Sequence, residues 1–290
     1  MKIAICTIIK QENLYLRDWV EYYLKMGVSN IILYDNNDIN GEFPQHVIGD
    51  YIESGVVIYE NARGLHRYQI EAYSNCYEKY KNVFEWIGFL DADEFWYLSP
   101  EFTFDTYFTE DRFPNAIAVF LCWINYGDCG KIHYENKPVW ERFPNPSQPL
   151  NIISNGSDIN KVRKVFLKCY CDVEVEFKDV NWIKYWVPEN MDLKNTYSSD
   201  GTEYNNNLPS NYTYSYIKHY RTLTIEEFLY RRFGRRGYAD DTSPYKKDFI
   251  LQLFWDQNEW TQEKQDIVNK FFNNFIVEED PPKENSNIFN

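Results

Sequence analysis

The sequence lacks any run of about 18 apolar residues, the length that a helix needs to cross a membrane. It also lacks, at its start, the longer apolar stretch and the small-residue cleavage site of a secretory signal. We therefore expect a cytoplasmic protein. Cysteine is sparse, with six among 290 residues, and none has the paired CxxC spacing of a structural zinc site. Buried free thiols are the simpler interpretation.

Positive charge is also scarce, because 30 Lys and Arg residues face 44 Asp and Glu residues and leave a formal net charge of −14. Such a chain does not attract a nucleic-acid backbone over its whole surface, so we expect no nucleic-acid partner. A ligand that carries phosphate must then be bound locally, by a metal ion or a basic cluster. Aromatic residues are abundant at 19%. Their rings suit sugar faces, although a compositional bias explains the same excess.

The first half of the chain alternates between predicted strands and predicted helices. Apolar and β-branched runs predict the strands, and apolar residues at helical spacing predict the helices. This alternation indicates an α/β fold with a Rossmann-like, mainly parallel sheet and helices on both faces. The predicted strands are Lys2–Lys10, Asn30–Tyr34, Val56–Tyr59, Trp86–Leu90 and Ala116–Trp123, and the predicted helices are Asn13–Met26, Pro44–Glu53 and His66–Tyr80.

The second half is less regular. Its composition predicts a proline-rich loop at Pro138–Pro149 and a mobile loop at Asn195–Asn211. Thr224 and Glu227 form a capping box that begins a helix running through Phe233. The remaining predicted strands are Lys161–Cys171, Asp172–Phe177 and Tyr214–His219, two further helices begin at Ser243-Pro244 and Thr261, and 278–290 is expected to be a flexible tail.

Polar residues follow three of the predicted parallel strands: Lys10-Gln11-Glu12, Asp35-Asn36-Asn37 and Asp91-Ala92-Asp93. Ligands of such sheets bind outside the carboxyl ends of the strands. Asp91 and Asp93 are two residues apart, so in a strand both side chains point to one face. Two carboxylates about 4 Å apart repel by roughly 4 kcal/mol at an effective dielectric constant near 20. A divalent cation relieves that repulsion and can bridge a nucleotide diphosphate, whereas the alternative is a solvated acidic turn with Glu94.

Three other features leave more than one interpretation open. Asp35 either contacts a nucleotide base or ribose, or forms a turn. The arginine cluster (Arg231, Arg232, Arg235 and Arg236) either clamps a diphosphate, docks on an anionic membrane surface, or is a solvated helix face. His219, at the end of a short strand, is on spacing alone more often a structural residue than a ligand.

The chain resembles the family 2-like and family 92-like glycosyltransferases. The matching blocks occur in the same order, from about residue 5 to residue 237. Each matching block is weak alone, but the ordered set is specific. The blocks are Ile8–Tyr23, Gly27-Val28, Tyr34–Asn37, Gln69, Trp86-Ile87, Leu90–Phe95, Trp123–Gly127, Lys161–Lys164, Lys218–Tyr220, Glu226–Phe228 and Arg235–Gly237.

The resemblance implies the GT-A fold, in which a nucleotide-sugar-binding half joins an acceptor-binding half. We place these halves at 1–125 and 126–277, the second with the C-terminal helices. It also implies Mn²⁺ or Mg²⁺ held by Asp91, Asp93 and His219. The donor contacts that we expect are Glu12, Asp35, Asn37, Gln69, Arg235 and Arg236.

One block departs from the family pattern. The family has a Gly-Ser-Ser-Gly-His motif at this position, whereas this chain has Gly127-Asp128-Cys129-Gly130-Lys131. An inverting transfer needs a carboxylate that accepts the proton of the acceptor hydroxyl. Asp128 and Glu141 are the candidates for this catalytic base.

The expected function is transfer of a sugar from a nucleotide-diphosphate donor, a UDP-sugar favoured, to a hydroxyl of a glycan or glycolipid in surface polysaccharide or lipopolysaccharide synthesis. Peripheral contact with the inner face of the membrane stays open. A nucleotidyltransferase is one alternative, but it usually has a glycine-rich loop where this chain has Lys10-Gln11-Glu12. A non-catalytic carbohydrate-binding protein is another, and it needs no acidic residues at successive strand ends.

Overall fold

The computed structural model describes residues 1–65, 68–147, 163–169, 195–203, 212–234 and 244–278. These residues divide into two compact units. The first contains Met1–Asn125 and the described part of Gln148–Tyr220, and the second contains Tyr126–Ser147 and the described part of Arg221–Asn290. The assignment of the halves 1–125 and 126–277 to nucleotide and acceptor binding stays a prediction.

The described residues of the first unit form a nine-stranded sheet with the order β3-β2-β1-β4-β7-β6-β9-β5, and β8 pairs with β6 outside this path. Strands β3, β2, β1 and β4 are parallel neighbours, whereas β7 is antiparallel to both β4 and β6. The strands are β1 (Ile3–Ile9), β2 (Asn30–Asp35), β3 (Val57–Asn61), β4 (Trp86–Phe89), β5 (Glu94–Leu98), β6 (Ala118–Asn125), β7 (Arg163–Lys168), β8 (Thr196–Ser198) and β9 (Ser215–His219).

The order of the first four strands places helices on both faces of the sheet. The chain steps from β1 to β2 to β3 in one direction and then returns past β1 to β4. Right-handed crossovers put α1 (Asn13–Met26) and α2 (Gln45–Glu53) on one face and α3 (Gln69–Tyr80) on the other. Cys76 and Tyr77 of α3 pack in one core cluster with Ala4 and Cys6 of β1. The predicted α/β class with a mainly parallel sheet is confirmed.

The Phe166 side chain of β7 packs directly over Gly88 of β4. Gly88 pairs with Phe166 across the two strands, and a Cβ atom at Gly88 would collide with the Phe166 ring. Only glycine allows this approach. The neighbouring rings of Trp96 and Phe166 lie 4.3 Å apart between centroids, so an aromatic core fills this part of the unit.

Several local predictions needed correction. The loop expected at Asn195–Asn211 contains β8, whose residues pair with Ala118–Phe120, while 204–211 lie outside the described residues. The proline-rich segment contains the short helix α5 (Val139–Arg142), and α4 (Phe104–Tyr107) was not expected. The predicted strand Asp172–Phe177 and the tail after Glu278 also lie outside the described residues. No helix in the described part of the chain is both long and apolar enough to cross a membrane.

The second unit is helical around a small apolar core that includes Ile225, Phe228, Ile250, Phe254 and Val268. Its helices are α5, α6 (Ile225–Leu229), α7 (Pro244–Trp255) and α8 (Gln262–Glu278), and a π-helical turn at Tyr230–Gly234 follows α6. The three helix starts predicted at Thr224, Pro244 and Thr261 are confirmed to within a residue.

Glu227 stabilises this unit in two ways. It completes the predicted capping box, because the Thr224 hydroxyl accepts a hydrogen bond from the Glu227 N–H and the Thr224 backbone N–H donates one to Glu227 Oε2, both at 3.2 Å. Its two carboxylate oxygens also accept hydrogen bonds of 2.9 Å from both terminal nitrogens of Arg142. The Arg142 and Glu227 side chains are 0% and 3% exposed, so this is a buried bidentate ion pair.

We expect Glu227→Gln to lower the free energy of unfolding by about 3–5 kcal/mol, because it leaves the buried Arg142 charge without its partner. Urea unfolding followed by circular dichroism measures the change. The matched control is Glu226→Gln, since the side chain of Glu226 is 52% exposed. The control should change stability by no more than about 0.5 kcal/mol. An equal loss of stability in the two variants would show that the Arg142–Glu227 ion pair does not stabilise the unit.

Candidate metal and nucleotide site

The strand order reverses between β1 and β4, and this reversal marks the place where ligands bind on open α/β sheets. The two strands are parallel neighbours, so their carboxyl ends lie at the same edge. Lys10-Gln11-Glu12 follows β1 there, and Asp91-Ala92-Asp93 follows β4. Strand β2 is also parallel to β1, so Asp35-Asn36-Asn37 lies at this edge as well, and the fold brings all three predicted positions together.

The Asp91–Asp93 segment is a turn rather than the end of a strand. Strand β4 ends at Phe89, and the N–H of Glu94 donates to the carbonyl of Asp91 at 3.1 Å before β5 begins. The expectation that both carboxylates share one strand face was therefore wrong. Asp91 and Asp93 contact different partners, because a turn does not have the two-residue repeat of a strand.

Asp91 is held by three side chains of the first unit. Its Oδ1 accepts hydrogen bonds from Gln69 Nε2 at 2.9 Å and from the Tyr73 hydroxyl at 3.2 Å. Its Oδ2 lies 3.0 Å from Lys164 Nζ. Gln69 begins α3 and orients an acidic side chain, and the donor contact that the family resemblance implies for it stays a prediction.

Lys164 is a buried cation between two carboxylates. Its Nζ lies 3.0 Å from Asp91 Oδ2 and 3.1 Å from Glu94 Oε2, and its side chain is 0% exposed. Burial, the largest influence, lowers the pKa of Lys164, but the two carboxylates together outweigh it and raise the pKa above its ordinary value. Lys164 therefore stays charged and fixes two of the three acidic residues.

Glu94 is fully buried, which contradicts the alternative of a solvated acidic turn. Its Oε2 accepts a hydrogen bond of 2.9 Å from the Asp91 N–H, whereas Oε1 is buried without a hydrogen-bond partner. Burial raises the pKa of Glu94 to about 8, Lys164 opposes this shift, and the charges of Asp91 and Asp93 add to it. A buried oxygen in this state is stabilised by a proton or by a cation.

His219 ends β9 and faces the acidic turn. Its Nε2 lies 3.7 Å from Asp93 Oδ1, and its Nδ1 lies 3.0 Å from Asn125 Oδ1. The backbone N–H of the next residue, Tyr220, donates to the Asp93 carbonyl at 2.9 Å. Two separate contacts thus hold β9 against the turn.

Asp93, Glu94 and His219 form what we call the acidic–histidine cluster. One ligand atom from each lies within 4.8 Å of the others, and all three side chains are buried or partly buried. Carboxylate oxygens and an imidazole nitrogen suit a divalent cation, and the unpartnered Glu94 Oε1 fits one as well. The cluster shares Asp93 and His219 with the predicted ligand set. In place of Asp91, it contains Glu94.

The predicted base contact, Asp35, is the centre of a second buried network. Its carboxylate is 0% exposed and accepts hydrogen bonds from Asn37 Nδ2 at 2.6 Å, the Tyr59 hydroxyl at 2.9 Å and Arg63 at 2.6 Å. Arg63 also donates to the carbonyls of Asp38, at 2.7 Å, and Glu42, at 2.8 Å. Asp35 therefore anchors the loop that follows β2, and a base contact by its carboxylate stays a prediction.

Asn37 and Glu12 connect this loop to the end of β1. Asn37 Oδ1 accepts a hydrogen bond of 2.7 Å from the N–H of Gln11, which has a left-handed φ of 57°. The carbonyl of Glu12 accepts the first hydrogen bonds of α1, from Tyr15 and Leu16. Both predicted donor contacts therefore lie where the β1 turn and the β2 loop meet.

The two candidate bases belong to the second unit and differ in their surroundings. Asp128 Oδ2 lies 2.6 Å from Lys264 Nζ, and both side chains are nearly fully buried. Its Oδ1 accepts the Gly130 N–H at 2.8 Å, so its oxygens already have protein partners. Glu141 is exposed on α5. Arg235 and Arg236 lie outside the described residues, and the roles of all four stay predictions.

Sequence reasoning missed Lys164, Arg63 and the burial of Glu94. Lys164 lay inside a block of the family resemblance, which could have identified it. Arg63 follows β3 at the same sheet edge as the other polar positions, so the strand-end rule could have found it. Glu94 also lay inside a resemblance block, Leu90–Phe95, but its burial was not expected because an acidic residue after two others is more often exposed.

Comparison with known proteins places these residues in a family. The model of glycosyltransferase family 92 matches residues 2–232, so the chain belongs to glycosyltransferase family 92. A family 92 protein of Ricinus communis is 30% identical over 100 residues, which cover 33% of this chain and 17% of that protein. One of Arabidopsis thaliana is 28% identical over 97 residues, which cover 33% of this chain and 16% of that protein. The aligned stretch spans about a sixth of these relatives.

Among solved structures, S. aureus TarS 1–349 in complex with UDP-GlcNAc aligns with 95% of this chain and 81% of its own, at 13% identity and a TM-score of 0.42. The structure of S. aureus TarS 1–349 alone aligns with 95% and 80%, at 12% identity and a TM-score of 0.38.

We expect Lys164→Met to lower the free energy of unfolding by about 3–5 kcal/mol, because it leaves the buried Glu94 and the partly buried Asp91 without their cation. The control is Lys168→Met on the same strand. Lys168 is 34% exposed and lies 3.3 Å from the exposed Glu110, a type of pair that contributes at most about 1 kcal/mol. Chemical unfolding of both variants gives the comparison. A Lys164 variant as stable as the Lys168 variant would show that the buried pair is not needed for folding.

Proposed function

We propose that this protein transfers a sugar from a nucleotide-diphosphate donor, with a UDP-sugar favoured, to a hydroxyl of a glycan or glycolipid acceptor. The observation that carries the proposal is the acidic–histidine cluster beside the strand-order reversal, in a chain of glycosyltransferase family 92. The proposed setting is surface polysaccharide or lipopolysaccharide synthesis in the cytoplasm, at the inner face of the membrane.

In this proposal Asp93, Glu94 and His219 hold Mn²⁺ or Mg²⁺, and Asp91 lies beside them. When bound, the cation neutralises charge on the departing diphosphate and so supplies Lewis-acid assistance. The imidazole favours Mn²⁺, since Mg²⁺ prefers an all-oxygen shell. Asp93 is the one carboxylate of the three that Lys164 does not contact at ion-pair distance, among the described contacts.

The donor nucleotide is proposed to lie along the carboxyl ends of β1 and β2. Gln69 holds Asp91, and Asn37 holds the turn that contains Glu12, so both act on the pocket by fixing its walls. Asp35 and Arg63 make the β2 loop rigid, which lowers the entropy lost when a base is bound there. Arg235 and Arg236 remain proposed diphosphate contacts.

The proposed reaction inverts the anomeric centre and therefore needs a base for the acceptor hydroxyl. Glu141 fits this role better than Asp128. The Glu141 side chain is exposed, whereas the Asp128 carboxylate is buried against Lys264. Asp128 instead stabilises the second unit.

We expect Asp93→Asn to abolish the metal-dependent part of donor binding, because an amide loses the charge that attracts the cation. Thermal shift with UDP, GDP, CDP and TDP, each with and without Mn²⁺, measures this. A ligand at about 100 times its Kd stabilises the native state by about 2.7 kcal/mol. The control, Asp111→Asn, changes an exposed aspartate. A metal-dependent shift that survives in the Asp93 variant would contradict the ligand assignment, and no shift with any nucleotide would contradict the proposed function.

For the base, we expect Glu141→Gln to lower the rate of sugar transfer by about 10²–10⁴-fold, because the amide cannot accept the acceptor proton. Donor binding in the thermal-shift assay should not change. Asp128→Asn, in contrast, should lower the melting temperature because it breaks a buried ion pair. An unchanged rate of sugar transfer in the Glu141 variant would show that Glu141 is not the catalytic base.

A further inference from the structure

Each imidazole has two nitrogens, and the partner of one decides which of them can bind a cation. We propose that Asn125 is a positioning residue that holds His219 in the tautomer whose Nε2 lone pair faces the acidic–histidine cluster. The proposal rests on the proposed function only in that a divalent cation binds there.

The contact between Asn125 and His219 fixes the tautomer. Asn125 Oδ1 lies 3.0 Å from His219 Nδ1, and a carbonyl oxygen can only accept a hydrogen bond. The proton of the neutral ring is therefore on Nδ1. The other nitrogen, Nε2, keeps its lone pair and lies 3.7 Å from Asp93 Oδ1. With the opposite tautomer, Nε2 would donate to Asp93 and could not bind a cation.

The pairing of two strands places Asn125 beside His219. Strands β6 and β9 are parallel neighbours, and Asn125 is the register partner of His219. The Trp123 ring lies 4.2 Å from the His219 ring between centroids, at an interplanar angle of 39°, and restricts rotation of the imidazole. Both the orientation of the His219 ring and the position of its proton are thus defined.

A second observation points to a ligand on the side that Nε2 faces. Glu94 is completely buried, its Oε2 accepts the Asp91 N–H, and its Oε1 has no hydrogen-bond partner. The protein thus holds one side-chain atom of Glu94 and one of His219, and we infer that the second atom of each, Oε1 and Nε2, is the one available to a ligand. Residues that orient ligands in this way typically change metal affinity about 10–100-fold when substituted.

The first measurement is the tautomer itself in protein without metal. The chain has four histidines, so ¹⁵N-labelled imidazole resonances are few, and His219→Asn identifies the resonance of His219. We expect wild-type His219 to carry its proton on Nδ1 and Asn125→Leu to lose that preference. Asn125→Asp keeps an acceptor oxygen at the same position and should keep the Nδ1 proton.

The second measurement is Mn²⁺ binding without a donor, from the electron paramagnetic resonance signal of free Mn²⁺. Asn125→Leu should weaken binding about 10–100-fold, while Asn125→Asp should bind at least as tightly as the wild type. Melting temperatures of both variants establish that they are folded. A structural role alone would lower the melting temperature without moving the tautomer.

Three results would overturn the proposal: a wild-type His219 protonated on Nε2, a folded Asn125→Leu variant that binds Mn²⁺ like the wild type, or a wild type that binds no Mn²⁺. None of these decides the proposed function, because nucleotide binding and sugar transfer are measured separately. Conversely, a Mn²⁺-binding protein that responds to no nucleotide would support the role of Asn125 and contradict the transferase.

Discussion

The site depends on the buried ion pairs of Lys164. Lys164 and Glu94 are fully buried and Asp91 is partly buried, and removing a charged group from water costs several kcal/mol per ion, so the arrangement is tolerable only with close mutual contacts. Lys164 meets this condition with distances of 3.0 and 3.1 Å to Asp91 and Glu94. It thereby neutralises part of an acidic turn that would otherwise repel itself. The turn can then hold Asp93 toward His219 without unfolding the end of β4.

The antiparallel strand β7 is what makes this interaction possible. It lies between β4 and β6 in the sheet and brings Lys164 beside a turn about seventy residues earlier in the chain. Gly88 of β4 leaves room for the ring of Phe166 on β7. On the other side, β6 pairs with β9, and this pairing brings Asn125 beside His219. The chemistry of the site is therefore assembled by the order of the strands rather than by any local motif.

The difference between local sequence signals and the order of the strands explains what the sequence could predict. Helix α1 was predicted with its observed bounds, because apolar spacing and Gly27 are local signals, and Gly27 ends it with a φ of 94°. The strands β1 to β4 and the acidic edge followed from alternation and the strand-end rule. Strand β5 was missed because Glu94 made its start look like an acidic turn, although the residue is buried. Lys164 and Arg63 act through partners distant in sequence, which no periodicity reveals.

The buried cations of the protein limit how it can bind phosphate. Among the described residues, Arg63 pairs with Asp35, Arg142 with Glu227, Lys164 with Asp91 and Glu94, and Lys264 with Asp128. These four cations neutralise internal carboxylates and cannot turn to a ligand without leaving a buried charge unpaired. A diphosphate at the carboxyl edge of this acidic chain therefore needs positive charge from elsewhere. In the proposed function, a cation held by the acidic–histidine cluster supplies this charge, so an acidic surface and an anionic donor would be compatible in one site.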